Sequence, residues 1–241
     1  MYIRVKRILD IICSVIALII FAIPMVIISI IIKFDSEGPV IYKQQRIGKN
    51  GELFFIYKFR TMIVHKELKE NNIDHNHMVT KVGKFLRKTS LDELPQLFNV
   101  LKGEMSIVGP RPWIKEYYEY FTDKQKERCN VLPGITGLAQ IKGRNRITIF
   151  KKIGYDIEYV QKLSFKLDVL IIFWTFKTIQ NEKNAEISEI GIQEELSELK
   201  KYKLNYKKQE ELPEQEKHEY LVKNLKNMVN KTAEYTYREV I

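Results

Sequence analysis

Cysteine is almost missing from this chain of 241 residues, which holds only Cys13 and Cys129. One lies in an apolar run and the other in a polar stretch, so no disulfide framework follows, and the pattern fits a reducing compartment. Histidine is scarce as well, at four residues. His75 and His77 form a His-x-His pair near His65, but no further ligand stands at a useful spacing. Residues 63–80 therefore read as a polar surface loop and not as a zinc site. Charge is absent from Ile11 to Ile32. No small-x-small cleavage signature follows that run, which argues against a secretory leader. No nucleic-acid-binding motif accompanies the net charge of +10, so no nucleic-acid partner is expected.

Hydrophobic residues make up 45% of the chain, enough for one domain of ordinary size with appendages. The excess positive charge lies before residue 182, because the last 60 residues hold 11 basic and 13 acidic side chains. A basic body beside an apolar segment suits anionic lipid and an anionic substrate. The uncharged run is long enough to cross a hydrocarbon core of ~30 Å, and a plain spanning helix is one reading of it. Pro24 sits within the run, where it removes a helical hydrogen bond. Arg4, Lys6 and Arg7 precede the run, and Lys33, Lys43 and Arg46 follow it, so the positive-inside tendency keeps both ends on the cytoplasmic side. A helix that enters, bends at Pro24 and returns satisfies both features. The Ser14 or Ser29 hydroxyls are candidates to satisfy the backbone freed at the bend.

Residues 40–62 predict a β-hairpin, since Leu53, Phe55, Tyr57 and Phe59 alternate with Phe54, Ile56, Lys58 and Arg60 behind a Gly48–Gly51 turn. Alternation puts Lys58 and Arg60 on one face, either as solvated charges or as phosphate contacts. Asp92 and Glu93 are adjacent, with Arg87 and Lys88 before them and Gly109-Pro110-Arg111-Pro112 after. Neighbouring acids bracketed by cations suit magnesium and phosphate chemistry, and one aspartate can serve as a covalent nucleophile towards phosphorus. The bland reading of Glu93 is a capping box with Ser90; the alternative makes Asp92 the N-cap and leaves Pro95 in the first turn. Arg111, between two prolines, is a stiff guanidinium fork for phosphate or else an interfacial surface arginine. The aromatics of 112–121 favour a headgroup layer or packing against the body. Ile149, Ile153, Ile157 and Val160 predict one face of a helix, with Asp156 and Tyr159 elsewhere on its surface. Val169–Phe176 is apolar but too short to span a bilayer, so a buried or interfacial helix is expected.

The blocks KFRTM (58–62), LRKTSLDELPQLFNVLKGEMSIVGPRP (86–112), PGITGLAQIKGRN (133–145) and YDIEYVQKLSFKLD (155–168) together resemble the bacterial sugar transferases known as monotopic phosphoglycosyl transferases, in their small form. The resemblance runs over about residues 1–181. It implies an α+β, mainly helical fold: a re-entrant membrane helix over 1–35, then a compact catalytic domain over 36–181 with a small β-hairpin and amphipathic interfacial helices. Residues 182–241 lie outside it and read as a charged helical extension, with helical spacing at Ile192/Leu196/Leu199 and at Leu221/Leu225/Met228. That extension is either a solvated structure or a surface for self-association or a downstream glycosyltransferase.

The resemblance implies an enzyme of the bacterial inner membrane with its catalytic domain on the cytoplasmic face. It would move a phospho-sugar from a UDP-sugar to a polyprenol phosphate, with release of UMP and with Mg2+ as cofactor. Asp92 takes the nucleophile's role and Glu93 its companion role at the metal. Arg111 maps onto the family's phosphate-contacting arginine, and Lys58, Arg87, Arg144 and Asp156 onto its active-site lining. Some members mark the membrane break with Ser-Pro, where this chain has Ile23-Pro24. Outside that resemblance, a non-catalytic scaffold and a phosphohydrolase using the same carboxylates stay open; neither would transfer sugar phosphate to lipid.

Overall fold

The computed structural model describes residues 2–63, 79–143, 147–181 and 189–210. The region of His65, His75 and His77, the position of Arg144, and the second apolar stretch of the tail lie outside them. The chain divides into two compact units, Met1–Leu196 and Ser197–Ile241, and the chemistry lies in the first.

Helix α1 (Tyr2–Asp35) leads into the hairpin β1 (Ile41–Ile47) and β2 (Leu53–Phe59). Helices α2 (Lys81–Thr89) and α3 (Gln96–Lys102), strand β3 (Ser106–Val108), short helices α4 (Lys115–Tyr120) and α5 (Asp123–Lys126), and strand β4 (Gly134–Thr136) follow. Helices α6 (Leu138–Lys142), α7 (Ile149–Gln161), α8 (Phe165–Asn181) and α9 (Glu189–Glu210) complete the order. The fold is mainly helical with little sheet. The hairpin pairs antiparallel with Tyr42 opposite Lys58 and Arg46 opposite Phe54, around the expected turn. The parallel pair β3–β4, joining Ser106 to Gly134 and Val108 to Thr136, carries no two-residue alternation long enough to read from sequence.

α1 is docked at both ends. Near its start, Arg7 donates to the carbonyls of Val100 and Leu101 in the last turn of α3. Asp10, 4% exposed, accepts from Ser106 Oγ (2.8 Å) and from the Ile107 amide (3.1 Å). Lys6 and Tyr2 both reach the Asp168 carboxylate at the start of α8. Near its end, Ile28 and Ile32 are buried with Phe59 and Leu86. Arg60 donates from Nη2 to Ile32 O and Ser36 O and from Nη1 to Glu37 O. Arg60 therefore secures the C-terminal end of α1 and the turn that follows it, and does not join Lys58 as a ligand contact. Between the docked ends, Ile19, Ile20, Ile23 and Val26 are exposed. The helix runs through Pro24 without interruption. Ser29 Oγ donates to Met25 O, its own i−4 carbonyl, and Ser14 Oγ is buried without a partner, so neither takes the carbonyl that Pro24 frees.

Two predicted faces are redrawn. On α7 the buried set is Ile149, Ile153, Asp156 and Tyr159, with Ile157 and Val160 half-buried. Polar residues can occupy that face because each finds a partner: Asp156 takes Arg128, while Tyr159 donates to Val108 O (3.0 Å) and Asp168 (2.8 Å). In the aromatic stretch, Trp113, Tyr117 and Phe121 are buried against one another and do not lie open at a surface. α8 buries Ile171 and Asp168 but exposes Val169, Leu170, Phe173, Trp174 and Phe176. With that exposed apolar face, α8 is not a fully buried core helix.

Candidate active site

Asp92 and Glu93 sit in a single 3-10 turn, Leu91–Glu93, between α2 and α3. Ser90 ends α2 in the left-handed conformation (φ 57°) and its side chain caps nothing; Pro95 stands at the N-cap of α3. Neither helix-capping reading of the dyad applies, so both carboxylates are left for other work.

They do different work. Glu93 Oε1 receives Lys58 Nζ at 2.6 Å and Arg111 Nη2 at 3.1 Å. Burial alone would raise the Glu93 carboxyl, but these two cations hold it far below the usual carboxylate range. Asp92 is 8% exposed, and among the described residues no group donates a hydrogen bond to it. Burial pushes its carboxyl up to about 6, with the Glu93 charge adding to the rise, while Lys58, Arg111 and Arg87 pull the other way. Adjacent carboxyls are thus driven apart, one held as a fixed anion and one poised near neutrality.

The cations are placed by separate elements. Lys58 comes from β2, and Arg87 from the last turn of α2, where its Nε donates to Thr61 Oγ1 at 2.9 Å. Arg111 follows β3 on a loop made possible by close glycine contacts: a Cβ on Gly134 would stand 2.1 Å from Gly109 N, and one on Gly137 would stand 2.1 Å from Gly109 O. The loop is fixed from behind. Arg128 Nη2 donates to Arg111 O at 2.7 Å and to Asp156 Oδ2 at 2.7 Å, with its guanidinium 4.4 Å above the Trp113 ring. Asp156, 1% exposed, is therefore not brought to the dyad; it holds Arg128, which holds the Arg111 loop. Arg111 itself remains 41% exposed, open to a ligand on its outer side.

The structure thus gathers Asp92, Glu93, Lys58, Arg87 and Arg111. Two participants escape sequence reasoning. Arg128 stands in no motif that distinguishes it from other surface arginines. Arg46 reads in sequence only as a charge flanking the apolar run, yet it faces the same cluster from β1; its signal was its two-residue spacing from Gln44 on the strand that pairs with Lys58.

A dyad of carboxylates ringed by lysine and arginine, on a body that carries a long apolar N-terminal helix, defines a class: a transferase-like centre for phosphate esters. The chain belongs to the bacterial sugar transferase family, whose model matches residues 1–182. Relatives include the galactosyl transferase CpsE of Streptococcus agalactiae, 45% identical over 72% of this chain and 42% of its own. Another is the undecaprenyl-phosphate galactose phosphotransferase of Salmonella typhimurium, 40% identical over 75% of this chain and 41% of its own. The exopolysaccharide production protein ExoY of Rhizobium meliloti is 38% identical over 72% of this chain and 84% of its own. The chain thus spans about two-fifths of the first two and most of the third.

Proposed function

We propose that this chain transfers a sugar phosphate from a UDP-sugar to undecaprenyl phosphate, in the synthesis of a bacterial capsule, exopolysaccharide or other glycoconjugate. Two relatives carry names of that chemistry, the galactose phosphotransferase above and the UDP-glucose:undecaprenyl-phosphate glucose-1-phosphate transferase of Klebsiella pneumoniae, 45% identical over 73% of this chain and 40% of its own. The observation that carries the reading is the asymmetry of the dyad: Asp92 is buried and, among the described residues, unengaged, beside a Glu93 already neutralised by two cations.

An Asp92 carboxylate oxygen attacks the sugar-bearing phosphorus of the donor. The bond from that phosphorus to the bridging oxygen breaks, and UMP leaves with the oxygen. A phosphate oxygen of the lipid then attacks the same phosphorus, the bond to Asp92 breaks, and the carboxylate is restored. Lys58 and Arg111 balance charge on the phosphoryl oxygens, which is the main lever in such transfers. The second oxygen of Glu93 and the free Asp92 carboxylate suit a magnesium ion that keeps most of its ligands from substrate; when bound, it would neutralise the diphosphate.

Docking of both ends of α1 on one body supports a helix that does not carry the chain across the bilayer, so that a monotopic, re-entrant or in-plane anchor holds the site at headgroup depth on the cytoplasmic face. Anionic lipid would be favoured by the basic body. The extension after residue 182 is open to self-association or to a downstream glycosyltransferase.

The test is incubation of the full chain with each of a panel of UDP-sugars, magnesium and no lipid. A burst of UMP with a sugar-phosphate adduct on the peptide containing Asp92 is expected. Steady release of free sugar phosphate would show a hydrolase instead, and no nucleotide release with any donor, lipid present or absent, would leave a scaffold.

A further inference from the structure

Among the described residues, Arg46 is a cation in no ion pair. It lies on β1, on the hairpin face that also carries Gln44 and, across the pair, Lys58. Its guanidinium makes one hydrogen bond, from Nη2 to Gln44 Oε1 at 2.5 Å, and its Nε is buried with no partner. Among the described residues no carboxylate stands within ion-pair distance of it, because the nearby Glu93 is taken up by Lys58 and Arg111. The next residue, Ile47, donates its amide to Trp113 O at 2.9 Å, which ties this point of β1 to the loop carrying Arg111 two residues earlier. Burial, and then the Arg111 charge, push the Arg46 guanidinium down to about 10. A half-buried arginine aimed beside another arginine, with a donor left over, is destabilising unless an anion arrives.

Two phosphates besides the transferred one pass through such a site, that of the nucleotide and that of the lipid. Position along the strand separates them. Ile41, at the start of β1, packs with Ile28 and Ile32 of the apolar helix. Arg46 lies five residues further on, roughly 16 Å at ~3.3 Å per residue, towards the Gly48–Gly51 turn and away from the Ile41 contact with Ile28 and Ile32. We propose that Arg46, oriented by Gln44 and working beside Arg111, binds the phosphate of the departing nucleoside monophosphate. The inference rests on the donor chemistry proposed above and adds a subsite to it: Arg46 would hold the leaving group while Lys58 and Arg111 hold the transferred phosphoryl.

The experiment uses full-length Arg46→Gln and Arg46→Lys with magnesium in lipid nanodiscs, and UMP as the binding probe. Calorimetry in an Asp92→Asn background reads binding apart from chemistry. Arg46→Gln should weaken UMP binding and raise the KM for UDP-sugar about 10-fold or more, the worth of a charge-assisted contact. The KM for undecaprenyl phosphate should not move, Arg46→Lys should restore part of the UMP affinity, and the melting temperature should stay level or rise. Unchanged UMP affinity in Arg46→Gln, or a rise confined to the lipid KM, overturns the subsite. If the wild-type chain neither binds UMP nor releases it from any UDP-sugar, the donor reading itself has failed, a different result from the first.

Discussion

Asp92 and Glu93 are consecutive in the chain, yet Glu93 Oε1 collects both Lys58 and Arg111 while Asp92 collects neither. The local reason is the 3-10 turn that carries them, which points successive side chains in different directions. The electrostatic consequence is a strong, permanent anion beside a carboxyl that titrates near 6.

Asp92→Asn should abolish UMP release and also stabilise the protein in buffer free of magnesium and donor. A buried carboxyl whose pKa is raised binds its proton more tightly folded than unfolded. It therefore costs stability as pH rises from its unfolded value near 4 through about 6, by up to about 3 kcal/mol. Thermal melts at pH 8 should place the variant above wild type, and the gap should close as pH falls towards 4. A gap that widens on acidification would contradict the assignment.

Glu93→Gln removes a charge that raises the Asp92 carboxyl and frees Lys58 and Arg111 to turn towards it, so both changes push Asp92 downward. Nucleotide release will fall in rate, and whatever activity is left should keep its acid limb at lower pH than in wild type. Rate–pH profiles with donor alone measure this directly.

Asp156→Ala leaves Arg128 as a buried, unpaired cation behind the Arg111 loop. A loss of roughly 3–5 kcal/mol is expected in urea unfolding. In Arg128→Lys the charge is kept but the fork that spans Arg111 O and Asp156 is lost. That variant should remain folded while its KM for the UDP-sugar rises.

Arg60→Met should loosen the C-terminal end of α1, since the Ser36 and Glu37 carbonyls lose the guanidinium and that of Ile32 keeps only the Ser36 amide. A drop of about 2–3 kcal/mol is expected, with Arg60→Lys recovering only part, because an ammonium does not reproduce the planar fork. Scanning fluorimetry in matched detergent reads both.

Much was legible in the chain itself. The hairpin followed from alternation, and its tight turn from Gly48 and Gly51. The long apolar helix followed from the uncharged run, and the dyad with its cations from short, dense motifs. What escaped was partner choice over long range. Lys58 and Arg60 are two residues apart, yet one closes on Glu93 while the other, just past β2, holds the end of α1 and the turn after it. Asp156 and Tyr159 broke the apolar periodicity of α7 because Arg128 and Asp168, from other elements, satisfy them inside.

The order of residues alone determined the hairpin, the long apolar helix and the presence of two neighbouring acids among arginines, since periodicity, turn chemistry and charge are local properties. Only the tertiary structure decided which acid is neutralised and which is left free among the described residues, that Arg46 enters the cluster with Gln44 and no ion pair among them, and that both ends of α1 belong to one body. Those outcomes depend on burial and on contacts between residues 18 to 166 positions apart, and no local pattern encodes them.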